Sequence, residues 1–123
     1  MTYNLTISEK HNFLHAKVTG KNSVENVSHY LEEILQKCKD AQCPYLLIEE
    51  QLDGPRLDTF KVFKIAAEES LQSRDFFKAI AYVDINAEGD MMQFAETVAV
   101  NRGLYAKVFP TVDEAEKWLI AQM

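Results

Sequence analysis

No apolar run in this chain approaches the roughly 20 residues that span a membrane core. The opening Met1-Thr-Tyr-Asn-Leu-Thr-Ile-Ser8 alternates, without the basic start and continuous apolar stretch of a signal peptide. A cytoplasmic protein with no membrane span is the expectation. Positive charge is scarce: 13 Lys and Arg stand against 19 Asp and Glu, a formal net charge of −6 spread along the chain. Nucleic acid and anionic membrane attract concentrated Lys and Arg, so neither is an expected partner. Four glycines and three prolines form no linker or low-complexity tract, and no repeat is visible. With 123 residues, 47% of them hydrophobic, the chain is read as one domain, 1–123, large enough to fold without disulfides or metal.

Cysteine is nearly absent. Cys38 and Cys43 are separated by four residues, which is neither the two-residue spacing of a redox pair nor half of a zinc quartet. Reduced, structural thiols are expected. Reaction motifs are missing too: there is no G-x-S-x-G elbow, no phosphate-binding G-x-x-x-x-G-K-[ST] loop, no G-x-G-x-x-G turn and no H-E-x-x-H helix. His11, His15 and His29 form no recognisable metal or base constellation. A protein that is not an enzyme and takes no cofactor or metal is the expectation.

What is present is regular punctuation. Leu5 and Ile7, then Leu14, Ala16 and Val18, alternate with polar residues on either side of Glu9 to Asn12, which predicts an opening hairpin. Asn22 or Ser23 can cap a helix with the apolar stripe Val27, Leu31, Ile34, Leu35 and Cys38, and Pro44 closes it off. Tyr45 to Ile48 predicts a short central strand, Asp53-Gly-Pro55 a loop, Asp58 to Ser73 a helix and Phe77 to Val83 another strand. Phe94, Val98 and Ala99 recur at helical spacing before Gly103, Leu104 to Phe109 predicts a strand, and Thr111 with Glu114 forms a capping box for a helix ending in Trp118, Leu119 and Ile120. The order is β-β-α-β-α-β-α-β-α, an α/β fold with a mixed, mostly parallel sheet and right-handed β-α crossovers. Lys17, Lys78 and Lys107 interrupt strands, which predicts one partly covered sheet face carrying Phe13, His15, Lys17, Tyr45, Tyr82, Tyr105 and Phe109.

The Phe94-x-x-Thr-Val-Ala-x-Asn-Arg-Gly-Leu104 segment, leading to Val108-Phe109 and Glu114-Ala-x-x-Trp-Leu119, resembles the divergent, mostly uncharacterised bacterial branch of the STAS-like, or SpoIIAA-like, family. The resemblance covers nearly the whole chain and implies the fold of the sporulation anti-sigma-factor antagonist. It also implies action by protein contact, without catalysis. In the better-known branch a phosphorylated Ser at the start of the helix after the third strand controls binding. The matching stretch here, Asp53-Gly-Pro-Arg-Leu-Asp-Thr-Phe60, lacks the Asp-Ser dipeptide, and its one hydroxyl, Thr59, falls on the arc expected to face the core. Thr59 is therefore a weak phosphoacceptor candidate.

The residues left over suggest two kinds of partner. Tyr82 and Tyr105 on the open face, with Ile65 pointing toward the charged side of its helix, are candidate contacts for a protein partner or for a homodimer. Phe60, Phe63, Met91, Met92 and Phe94 are candidates to line a cavity for a small apolar ligand. Glu49 and Glu50, Asp84 and Asn86, and Thr111 with Asp113 are read as strand-end groups, the place where open β-α sheets bind ligands, and are expected to be solvated.

Overall fold

A computed structural model describes residues 3–10, 12–53, 65, 68, 75–84 and 90–123, with side chains from Glu96 onward in the last segment. β1 (Tyr3–Glu9) and β2 (Leu14–Lys21) form the expected antiparallel hairpin, with Leu5 opposite Val18 and Ile7 opposite Ala16. Asn12, at φ 65°, makes the turn between them; Asn tolerates the left-handed region better than most residues. β3 (Tyr45–Asp53), β4 (Ala79–Asp84) and β5 (Ala106–Phe109) add in parallel, so the five-stranded sheet has the order β1-β2-β3-β4-β5.

α1 (Val24–Asp40) follows β2 and is capped by Ser23, whose Oγ accepts the Asn26 N–H at 3.1 Å. Asn26 is itself buried and donates through Nδ2 to the Lys21 carbonyl at 2.8 Å, tying the helix start to the end of β2. The other end closes as a Schellman motif: Gln42 takes φ 54°, its N–H reaches the Lys39 carbonyl at 3.1 Å, and the Cys43 N–H reaches the Cys38 carbonyl at 3.0 Å. Ile65 and Glu68 are helical, while the rest of the helix expected over Asp58 to Ser73 lies outside the described residues. α2 (Asp90–Asn101) precedes β5, and α3 (Val112–Ala121) ends the fold with Thr111 Oγ1 accepting the Glu114 N–H at 3.3 Å.

The sheet separates two cores. Leu14, Ala16, Val18, Leu46, Ile48 and Ile80 face α1, whose Val27, Tyr30, Ile34 and Cys38 are buried on them, and Ala99 of α2 joins the same layer. Phe13, Leu47, Ala81, Val83 and Phe109 face the other way, onto Ala115 and Leu119 of α3. β3 and β4, covered on both sides, therefore read as apolar runs, whereas the hairpin alternates. The face that α3 occupies is left open over the hairpin, where Asn4, Thr6, Ser8 and Lys17 are exposed.

Two expectations need correction. Tyr82 pairs in register with Ile48 and Val108, which puts it on the α1 side, opposite the face of Tyr105 and Phe109. Alternation fixes sides within one strand, but the register between strands decides which sides coincide. Ile65 does not point into solvent; it is buried among the α1-side core residues.

Leu119 is fully buried, while Trp118 is half-buried and rests on the core through its ring contacts. Leu119→Ala is expected to cost about 2–5 kcal/mol. Trp118→Ala should cost about 1–3 kcal/mol through its two ring pairs. Urea denaturation compares them, and an equal or larger loss for Trp118 would contradict this ranking.

Candidate functional site

β3 continues past its apolar start, so Glu49 and Glu50 lie inside the strand and not at its end. As neighbours they point to opposite faces. Glu49 Oε1 meets His15 Nε2 at 2.9 Å, and Gln51 Nε2 donates to Glu49 Oε2 at 2.7 Å. Glu50 turns under α1, where the hydroxyls of Tyr30 and Tyr82 both donate to its Oε2 and lie 2.6 Å from each other. Asp84, buried at the end of β4, is the register partner of Glu50. Among the described residues no buried side-chain polar atom lacks a hydrogen-bond partner.

The electrostatics of this triad follow from burial. Tyr30 is completely enclosed, and burial, with the Glu50 carboxylate next, holds its phenol well above the usual value. Tyr82 is shifted the same way for the same two reasons. Both remain neutral donors to one carboxylate. The arrangement fixes α1 to the two central strands. No cluster of three or more metal-ligating side chains occurs among the described residues.

A cleft of about 430 Å³ lies between α2, the outer edge of β5 and α3. Thr97, Val100 and Asn101 form one wall, Tyr105 and Lys107 the floor, and Trp118 the other wall. Val100 is 48% and Tyr105 50% exposed. Trp118 packs at 5.3 Å against Tyr105 and at 5.6 Å against Phe109, and Lys107 Nζ lies 5.7 Å from the Phe109 ring centre. Glu96 Oε1 accepts the Val108 N–H at 3.0 Å, capping the strand edge from α2.

The residues singled out from the sequence are thus dispersed. Tyr105 lines the cleft, Tyr82 belongs to the buried triad and Ile65 to the core, so the three form no common contact surface. Thr59, Phe60, Phe63 and Asn86 lie outside the described residues, as do the side chains of Met91, Met92 and Phe94 on α2. Thr111 caps α3 and Asp113 lies in its first turn. Val100 and Glu96 were missed as cleft residues; their helical spacing, four apart on one side of α2, was the available signal.

The comparisons with known proteins agree at the level of the backbone. An uncharacterized protein from the DUF3478 family with a SpoIIAA-like fold, from Shewanella loihica PV-4, superposes with a TM-score of 0.58. That alignment covers 96% of this chain and 94% of the other, at 22% sequence identity. The chain has a SpoIIAA-like fold. No family model and no curated protein matches it. The fold expected from the resemblance holds, and among the described residues no helix is long and apolar enough to cross a membrane.

The triad makes a pH prediction. Folded Tyr30 and Tyr82 hold their protons more tightly than unfolded tyrosine, whose value is 10.0. Their contribution is therefore complete below that pH and is lost as pH rises above it toward the folded values. Tyr30→Phe should cost about 1–3 kcal/mol at neutral pH and flatten the alkaline decline. Denaturant titrations across the alkaline range, read with tyrosinate absorbance, test this; two triad tyrosines ionising at the ordinary value in the folded protein would contradict it.

Proposed function

We propose that the protein is a non-enzymatic, cytoplasmic contact module, and that its contact surface is the cleft beside β5. The observation that carries this reading is the exposure of Val100 and Tyr105 next to the Trp118 ring at a sheet edge. Tyr and Trp offer large amphipathic contact area at low entropic cost, which is why they dominate binding hot spots. Among the described residues, the Tyr30–Glu50–Tyr82 cluster ties α1 to the sheet, which fits a structural role. Action by contact is also what the resemblance to anti-sigma-factor antagonists implies, although the Asp-Ser phosphoacceptor pattern is missing here.

The expected partner includes a second copy of the chain. A pairing of the aromatic sheet face through both Tyr82 and Tyr105 is ruled out, because the two lie on opposite sides. Self-association would instead pair the cleft edges, with Tyr105 and Trp118 at the centre. A stable dimer buries at least about 1,000 Å², so α2 and α3 flanking the cleft would have to contribute.

A small apolar ligand is less well supported by this cleft, which is open and lined as much by polar groups as by rings. Sedimentation equilibrium of the wild type and Tyr105→Glu at micromolar concentration is the test. The expected result is a dimer that the substitution weakens at least about tenfold, since it places an unpaired charge among the rings. A wild-type monomer removes self-association. If affinity capture with that monomer then yields the same proteins as with Tyr105→Glu, the cleft is not the contact surface and the reading fails.

A further inference from the structure

Cys38 and Cys43 occupy the two positions that a Schellman motif brings together. Cys38 is the third residue from the end of α1, Ala41 is the cap, Gln42 is the left-handed residue, and Cys43 is the next one out. In this motif the side chains at the first and last of these positions commonly touch, closing the helix end with an apolar contact. Here both are thiols. Their own backbones are joined by the 3.0 Å hydrogen bond from the Cys43 N–H to the Cys38 carbonyl, and Cys43 packs against the core cluster that contains Cys38.

We propose that Cys38 and Cys43 are a dithiol modification site, closed into an intramolecular disulfide by exchange with a small-molecule disulfide of the glutathione type. The two sulfurs have unequal access. Cys43 is partly exposed, whereas Cys38 is completely buried. Burial, with the neighbouring Cys43 next, pushes the Cys38 thiol up to about 12, which suits the second role in the exchange and not the first.

The Cys43 thiolate attacks one sulfur of the incoming disulfide, forming a mixed disulfide and releasing one small thiolate. Cys38 then gives up its proton to that base, and its sulfur attacks Cys43 Sγ and expels the second small thiolate. Two protein thiols are oxidised and one external disulfide is reduced to two thiols. The Cys43 S–H is at present directed at the carbonyls of Asn12, 3.5 Å away, and Tyr45, 3.4 Å away. Oxidation removes that donor from the Asn12 carbonyl in the β1–β2 turn.

The test is incubation of the folded wild-type protein with excess oxidised glutathione, an acid quench and intact-mass measurement. The expected product has lost two hydrogens and carries no glutathione. Lys39 lies between the cysteines, so trypsin cuts between them, and without reductant the two peptides should remain joined. Cys38→Ser should instead retain one glutathione on Cys43, and Cys43→Ser should react at least about tenfold more slowly, because only the buried thiol is left.

A wild-type protein that stops at one stable glutathione adduct with Cys38 still reduced would overturn the proposal. So would two adducts, or a disulfide between chains. Should either variant fail to fold, the wild-type mass and peptide map decide the question alone.

Discussion

A carboxylate in the middle of the sheet constrains this molecule more than any other group. Glu50 sits on the central strand beneath α1, and removing a charge from water is costly unless donors replace the water. Tyr30 and Tyr82 supply those donors from two different elements. The helix can then pack only in the register that brings Tyr30 to Glu50, and β4 can pair only in the register that brings Tyr82 there. Apolar burial is non-directional and would tolerate a shifted helix. Three oxygens meeting at one point would not, so the polar cluster adds specificity to the stability that Ile34, Ile48 and Ile80 provide.

Much of this architecture was legible because its signals are local. Ser23 and Thr111 were readable as caps since a cap needs only residues within one turn. The hairpin was readable because Leu5, Ile7, Ala16 and Val18 alternate over short runs. Tyr82 was placed on the wrong side because its side is set by pairing with Ile48, a residue more than thirty positions away. Ile65 was misplaced for a related reason: a helical wheel orders residues around an axis, but the packing of the whole helix decides where the buried arc ends.

The two cysteines make the same point in reverse. A separation of four residues looks unhelpful for thiol chemistry only if the intervening chain is taken as one continuous helix or strand. The left-handed Gln42 folds the chain back on the last turn of α1, so Cys43 returns to the level of Cys38. Nothing in the side chain of Gln42 announces this, since glycine is the usual residue there. Likewise Glu49 and Glu50 read as a strand-end pair until β3 proves longer, and then adjacency in sequence means opposite faces in space.

If the cleft is the contact surface proposed above, its geometry limits how a partner would bind. Among the described residues β5 has β4 on one side and no strand on the other, and an exposed edge usually invites a further strand. Its outward Val108 N–H is already taken by Glu96, and the strand is only four residues long. An added strand would have to displace a charge-assisted hydrogen bond while finding few backbone partners in return. Side chains entering between Val100, Tyr105 and Trp118 face no such competition. For the proposed contact the geometry therefore favours an anchoring side chain over strand addition, because Glu96 already occupies the Val108 N–H at the strand edge.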